Sequence, residues 1–96
     1  MSGGMDFLEA YYALGMKKEA KQTFDAMWNN AQQYLNWYLS LSQSRFNQSN
    51  RECLVNLYIM QQLIQIADTY DQDTANKMMP VFSKYSELFK DRGGQI

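Results

Sequence analysis

Apolar side chains recur along most of the chain at alternating steps of three and four, which is the period of an amphipathic helix. Short polar or glycine-containing segments interrupt these stripes at three places. The pattern predicts helices over about residues 5–14, 17–42, 51–70 and 74–90. We therefore expect an all-α fold of four helices, arranged as two helical hairpins in a superhelix or a bundle.

The same stripes predict which side chains form the core. The second and third helices each carry a second apolar stripe beside the first, and the broad apolar face of the second is expected to pack against more than one neighbour. The apolar positions are Phe7, Leu8, Tyr11 and Leu14 on the inward face of the first helix; Phe24, Met27, Trp28, Ala31, Tyr34, Leu35, Tyr38, Leu39 and Leu41 in the stripes of the second; Cys53, Leu57, Ile59, Met60, Leu63, Ile64, Ile66, Ala67 and Tyr70 in those of the third; and Ala75, Met78, Phe82, Tyr85 and Phe89 in the fourth.

Residues with special backbone or capping preferences mark the predicted helix ends. Gly15 supplies the left-handed conformation that commonly closes a helix. The polar composition over 40–50 predicts the main loop. Pro80 lies inside the fourth helix, where it removes a backbone donor and predicts a kink near Met78 or a break before the proline. The predicted N-caps are Ser49 or Asn50 for the third helix and Asp73 or Thr74 for the fourth.

Length and composition indicate one small domain. The chain has 96 residues, close to the usual size of a domain, and contains only one proline. Valine occurs only at positions 55 and 81, which favours helix over sheet. We expect a flexible leader or tag remnant over 1–4, a single helical domain over 5–91 and a frayed tail over 92–96. We expect the chain to be a fragment of a larger protein.

Several classes of function lack the residues they need. The net charge is −1 and no basic block is present, so the electrostatic signature of a nucleic-acid-binding protein is missing. No apolar run reaches the roughly 18 residues of a membrane span, so we expect no direct membrane insertion of this segment. The single cysteine, Cys53, cannot form an intrachain disulfide, so cysteine usage does not distinguish an oxidising from a reducing compartment.

Candidates for catalysis and metal binding are few. The chain has no histidine, which removes the commonest general base and metal ligand. Cys53 therefore lacks an activating base, and we expect a buried apolar thiol. Asp68, Asp71 and Asp73 lie close together, but no glycine or glutamate follows at the distances a calcium loop needs, so capping explains them better. We predict a protein that is not an enzyme and that holds no metal or cofactor.

The joint between the first two helices has a distinctive spacing. Its residues are Ala10, Tyr11, Leu14, Gly15, Glu19, Ala20 and Phe24. Together they resemble the tetratricopeptide repeat consensus across the joint between its two helices, which implies a helical hairpin of the kind used in protein contacts. Gln32 replaces the proline expected near that position. Residues 63–75 weakly repeat the pattern of this joint but lack the Leu-Gly pair.

A narrower resemblance covers most of the chain. It rests on that hairpin, on the segment 34–41 (YLNWYLSL) and on the segment 56–63 (NLYIMQQL). With these segments the chain resembles the soluble C-terminal region of bacterial membrane proteins similar to protein-O-mannosyltransferases, a domain-of-unknown-function family. The resemblance implies attachment to a bacterial inner-membrane protein, with the periplasm as a candidate compartment. It also implies that sugar-transfer chemistry belongs to the membrane-embedded portion, which this chain lacks.

These features predict a non-catalytic module that mediates protein–protein or interdomain packing. A helical face or groove would accept a helix or peptide through apolar contacts with an amide-rich rim. The predicted contact residues are Trp37, Tyr38, Tyr34 and Phe46. The partner would be another protein or the rest of a parent chain, and a homodimer is also compatible with the sequence.

A carbohydrate-binding platform is the alternative. Sugars stack on aromatic faces, and Trp28, Trp37 and Tyr38 have many amide side chains around them. The two tryptophans lie nine residues apart on one predicted helix, so they face about 180° away from each other and cannot form one platform. The alternative function is accessory binding of a glycan or acceptor substrate for a membrane glycosyltransferase.

Overall fold

The computed structural model describes residues 3–95, and within that range it contains four helices and no strand. The helices are α1 (Gly3–Ala13), α2 (Lys17–Leu39), α3 (Gln43–Tyr70) and α4 (Gln72–Asp91). The predicted all-α, four-helix fold is therefore confirmed. Between residues 3 and 95, no helix combines the length and the apolar character needed to cross a membrane.

Helix α3 lies at the centre of the packing. It contacts both α2 and α4, while α1 packs against α2 and a smaller contact joins α2 to α4. Its 28 residues rise about 42 Å at the usual helical pitch. This length approaches the longest dimension of the molecule, 45 Å. One continuous helix therefore supports the whole structure.

The interior consists of two apolar clusters arranged along α3. The first contains Met5, Leu8, Ala20, Phe24, Leu63, Ile66, Ala67, Ala75 and Met78. The second contains Ala31, Leu35, Phe46, Cys53, Leu57, Met60, Tyr85 and Phe89. Trp28 and Ile59 pack against both clusters and so join them into one core.

The predicted inward face of α1 is only partly correct. Leu8 is fully buried and Met5 joins it, but Phe7 is 64% exposed and Leu14 is 73% exposed. Met5 and Leu8 lie three residues apart on one side of this short helix, and Leu14 falls in the turn that follows it. Because α1 packs mainly along α2, it buries one narrow side and leaves Phe7 in solvent.

The predicted loop over 40–50 is wrong. Helix α2 ends at Leu39 and α3 begins at Gln43, so the connection spans only three residues. Ser42, not Ser49 or Asn50, is the N-cap of α3, and its hydroxyl accepts a hydrogen bond from the Arg45 amide at 3.4 Å. Polar side chains occupy most of the first two turns of α3, so this part of the helix has the composition of a loop.

The boundary between α3 and α4 depends on one residue. Asp71 donates its backbone amide to the Ala67 carbonyl at 2.7 Å, which closes α3. Its carboxylate accepts hydrogen bonds from the Thr74 amide at 3.2 Å and the Thr74 hydroxyl at 2.7 Å, which opens α4. The N-cap is therefore Asp71, and the prediction of Asp73 or Thr74 is wrong.

The break predicted at Pro80 does not occur. Helix α4 continues through Pro80 from Gln72 to Asp91. The proline ring lies on the exposed side of the helix. There the Asn76 carbonyl that loses its helical partner can bond to water, so the missing amide is tolerated.

Gly15 closes α1 in the conformation that the sequence predicts. Its φ is +72°. The Gly15 amide donates to the Tyr12 carbonyl at 3.1 Å, and the Met16 amide donates to the Tyr11 carbonyl at 2.8 Å. These two bonds define a Schellman motif, which satisfies carbonyls that the helix end would otherwise leave unpaired.

The C-terminal segment is hydrogen-bonded to the end of α4 through Gly94. Gly93 has a φ of +95°, and the amides of Gly93 and Gly94 donate to the Lys90 and Phe89 carbonyls at 2.9 Å each. A side chain at Gly94 would clash with the Phe89 ring. Ile96 lies outside the described residues, as do Met1 and Ser2 of the predicted leader, whereas Gly3 and Gly4 belong to α1.

Arg92 ties this segment to the end of α2. Its Nη1 and Nη2 atoms donate to the carbonyls of Leu39 at 2.6 Å and Leu41 at 2.7 Å. The guanidinium also lies over the Phe46 ring, with Cζ 4.7 Å from the ring centroid. Arg92 thus supplies donors to carbonyls at the end of α2 that the helix itself cannot satisfy.

Replacing Gly15 tests the backbone conformation of the first joint. We expect Gly15→Val to lower the free energy of unfolding by about 1 kcal/mol or more, because a branched side chain disfavours positive φ. A Cβ at this position meets no atom within 4 Å, so the loss would come from the backbone and not from a clash. Gly15→Asn is the control, since asparagine tolerates this conformation better. Thermal denaturation followed by circular dichroism measures both, and equal melting temperatures for wild type and Gly15→Val would contradict the assignment.

Replacing Arg92 tests the contact between the C-terminal segment and α2. We expect Arg92→Leu to lower the free energy of unfolding by about 1.5–3 kcal/mol, because two carbonyls lose charged donors. Arg45→Leu removes an exposed arginine nearby and should change it by no more than about 0.5 kcal/mol. Urea titration of the two variants and the wild type gives the comparison. Equal effects of the two substitutions would show that the Arg92 hydrogen bonds do not stabilise the fold.

Candidate interaction face

The four predicted contact residues do not share one environment. Tyr34 and Trp37 are each 53% exposed, and Tyr38 is half-buried. Phe46 is fully buried, with its ring edge-on to Phe89 at a centroid distance of 5.9 Å. Its assignment as a contact residue is wrong, because α3 starts early enough to turn Phe46 into the core.

The three remaining aromatic residues form a connected group on α2. Tyr34 and Tyr38 lie one turn apart and stack with centroids 6.4 Å apart and an interplanar angle of 26°. Trp37 packs against Tyr38 at 5.2 Å with a tilt of 58°. Trp28 packs against the core, whereas Trp37 faces solvent, as their spacing on one helix predicts.

Helix α3 contributes three exposed apolar residues that belong to neither predicted stripe. These are Leu54, Val55 and Tyr58. Val55 and Leu54 precede Tyr58 by three and four residues, which places all three on the side of α3 opposite the fully buried Met60. Tyr34 lines a cleft together with Val55, and Trp37 packs against Tyr38 at the edge of that cleft. We call Tyr34, Trp37, Leu54, Val55 and Tyr58 the outer face.

Val55 lies where three shallow clefts of the outer face meet. The cleft between α2 and α3, about 390 Å³, is lined by Tyr34, Tyr38, Arg51, Glu52, Val55, Asn56 and Ile59. The cleft beside the start of α1, about 500 Å³, is lined by Gly4, Met5, Met27, Val55, Tyr58, Ile59 and Gln62. The cleft between α3 and α4, about 410 Å³, is lined by Arg51, Leu54, Val55, Leu57, Tyr58, Gln61 and Phe82. The clefts therefore flank a ridge formed by Val55 and Tyr58.

The outer face is almost free of charge. Residues 26–44 contain no acidic or basic side chain, and neither do residues 53–67. Arg51 lines two of the three clefts and Glu52 lines one, whereas the cleft beside the start of α1 has no charged lining residue. The uncharged run over 53–67, with apolar residues outside the core stripes, is the sequence signal that could have identified Leu54, Val55 and Tyr58. A surface of this composition can bury apolar side chains and exchange amide hydrogen bonds.

A further cleft, about 360 Å³, lies away from the outer face, where the two helix joints approach each other. There the rings of Tyr12 and Tyr70 stack with centroids 4.5 Å apart and an interplanar angle of 9°. Lys21 and Asp25 form an exposed ion pair at 3.2 Å beside it. Burial, with a smaller contribution from the Asp71 carboxylate, raises the pKa of Tyr12. Asp71 is already bound by Thr74, so these groups hold the joints together and are not arranged as an acid–base pair.

The single thiol is inaccessible and neutral. Cys53 is fully buried in the second apolar cluster, which confirms the sequence prediction. Burial raises the pKa of its thiol to about 11. The thiolate, which is the nucleophilic form, is therefore scarce at neutral pH. Within residues 3–95 no group of three histidine, cysteine, aspartate or glutamate residues is placed to bind a metal ion.

The Asp71 cap predicts a specific dependence of stability on pH. Hydrogen bonds from the Thr74 hydroxyl and amide lower the pKa of Asp71 below its ordinary value of 3.8. The folded state thus binds this proton less readily than the unfolded state, so the stabilisation is present above pH 3.8 and is lost as the pH falls through the folded-state pKa.

Asp71→Asn keeps a capping oxygen but does not titrate, which isolates this effect. As the pH falls from about 7 to about 2.5, we expect the melting temperature of the wild type to fall more than that of Asp71→Asn. Thermal denaturation across that range measures the difference. A difference that stays constant with pH would contradict the proposed cap.

Comparisons of the chain with protein-family models, curated proteins and solved structures yield no match. The geometry and composition of the outer face are therefore the features that bear most directly on function.

Proposed function

We propose that the chain is a non-catalytic helical module whose outer face binds a protein surface. The partner is either a separate protein or another part of a longer parent chain, as the family resemblance implies. The observation that carries the proposal is the exposure of Tyr34, Trp37, Leu54, Val55 and Tyr58 on one uncharged side of α2 and α3.

The aromatic residues of the outer face have enough apolar area to drive association. Tyr34, Trp37 and Tyr58 are each more than half exposed. Removing about 100 Å² of apolar surface from water for each such ring favours binding by about 2.5 kcal/mol. Tryptophan and tyrosine are also the residues most often found to dominate binding energy in protein interfaces.

The shape of the outer face suits a helical partner. The ridge of Val55 and Tyr58 lies between clefts, and a helix presents apolar side chains at spacings of three and four that can enter such clefts. Asn56, Gln61 and Gln62 line the clefts and can bond to polar groups at the edge of the partner helix. The arrangement supports an apolar contact surrounded by amides.

The side chains of the molecule also favour a non-catalytic role. The sequence has no histidine, and the Cys53 thiol is buried with a raised pKa. The Asp71 carboxylate caps α4. A catalyst needs a positioned acid, base or nucleophile that reaches a substrate, and these residues are not available for that task.

Accessory binding of a glycan or acceptor substrate is the second candidate. The exposed rings of Tyr34 and Trp37 each contact the ring of Tyr38. This arrangement favours glycan binding, because adjacent aromatic faces can stack on a sugar. Trp28 packs against the core and does not extend this group. Binding of glycans on an array, lost on replacing Trp37, would favour this candidate over protein binding.

Replacing Trp37 tests the role of the outer face in protein binding. Helical peptides selected from a display library for binding to the wild-type chain serve as probes, and isothermal titration calorimetry measures their affinity. We expect Trp37→Ala to weaken binding by about tenfold or more, since an exposed aromatic anchor is lost. The helical circular dichroism signal should stay unchanged because Trp37 is 53% exposed.

Phe7→Ala is the matched control for that experiment. Phe7 is also an exposed aromatic residue, at 64%, but it lies on α1 and stacks on Tyr11, whereas Trp37 packs against Tyr38, which lines the cleft between α2 and α3. Phe7→Ala should leave peptide affinity unchanged. Equal losses for Trp37→Ala and Phe7→Ala, or selected peptides that ignore both, would contradict the proposed binding face.

A further inference from the structure

We infer that the outer face pairs with the same face of a second copy of this chain, giving a dimer with two-fold symmetry across α2 and α3. This inference rests on the proposed function and specifies the partner. It depends on three properties of the face: its lack of charge, its amide side chains and its ridge-and-cleft shape.

The distribution of charge favours a self-complementary contact. In a two-fold interface each surface patch meets its own copy, so charges near the axis would face identical charges. Charged residues make up 20% of the chain, yet none occurs in 26–44 or 53–67. The charges that line the clefts, Arg51 and Glu52, are adjacent and of opposite sign, so a second copy brings no net repulsion to the face.

The polar groups of the face can also bond to their own kind. A side-chain amide carries both a donor and an acceptor, so two identical amides can pair. The Gln62 amide nitrogen donates to the Tyr58 hydroxyl oxygen at 3.0 Å. This bond leaves the Tyr58 hydroxyl hydrogen free to donate and the Gln62 amide oxygen free to accept. Across a two-fold axis, the same two groups of the second copy can complete these bonds.

The shape of the face provides a way for two copies to interlock. Val55 and Tyr58 form a ridge with a cleft on each side, and ridges of one helix pack into the grooves of another. The uncharged part of α3 spans about 22 Å, which limits the buried area. A face of this extent predicts a weak dimer that forms in the micromolar range or above.

Placing a lysine at the centre of the face tests the inference. Sedimentation equilibrium of the wild-type chain up to about 0.5 mM should show a monomer–dimer equilibrium. Val55→Lys should raise the dimer dissociation constant by about tenfold or more, because two ammonium groups would be buried without partners. Leu88→Lys adds the same charge at an exposed apolar position on α4 that lines none of the three clefts, and should have no effect.

Salt dependence provides an independent criterion. An uncharged interface should hold its dissociation constant between about 0.05 and 0.5 M NaCl, whereas pairing of charged surfaces weakens as salt screens it. A wild-type chain that stays monomeric, a dimer insensitive to Val55→Lys, equal effects of both lysine variants, or a dimer that dissociates with added salt would each overturn the inference. A monomer whose selected peptides still depend on Trp37 would reject the second copy as partner while leaving the proposed function intact.

Discussion

The continuous burial of one side of α3 is the interaction on which the rest of the structure depends. Cys53, Leu57, Met60, Leu63 and Ala67 are buried on that side, against α2 and α4. The same helix thus contributes to both apolar clusters and holds them in line. Because α2 and α4 cover only this side, the opposite side of α3 presents Val55 and Tyr58 to solvent. The position of the core therefore determines the position of the outer face.

The two ends of the molecule are closed by different means. At one end, the Schellman turn at Gly15 and the stacked rings of Tyr12 and Tyr70 bring the two helix joints together. At the other, Arg92 bonds to carbonyls at the end of α2 and covers Phe46. These contacts fix α2 and α3 relative to each other, so the outer face needs little ordering when it meets a partner.

The parts of the fold that the sequence predicts best are those with strong local signals. The prediction of a left-handed Gly15 and that of an apolar stripe from Cys53 to Ala67 are confirmed, because a helix end at glycine and helical periodicity leave few alternatives. The start of α3 was missed because Phe46 is the sole apolar side chain over 43–50, so two helical turns read as a polar loop. The shared cap at Asp71 was missed because neighbouring acidic and hydroxyl residues compete for that role, and only the backbone path decides between them.

The outer face could be predicted only in part, because exposure depends on which side of each helix its neighbours cover. Trp37 was identified from its position off the main stripe of α2. Leu54, Val55 and Tyr58 were not, since periodicity alone cannot show that no helix packs over that side of α3. The absence of charge over 53–67 was visible in the sequence and becomes informative once the exposed side of α3 is known.

The central claim is that the outer face is the contact surface of this chain. Amide chemical shifts in ¹H–¹⁵N spectra, recorded as the protein is diluted, test it most directly at residue resolution. The account predicts shift changes concentrated at residues 34–38 and 51–62. Spectra that do not change on dilution would contradict pairing of two copies, and changes concentrated on α1 and the far side of α4 would contradict the outer face as the contact surface.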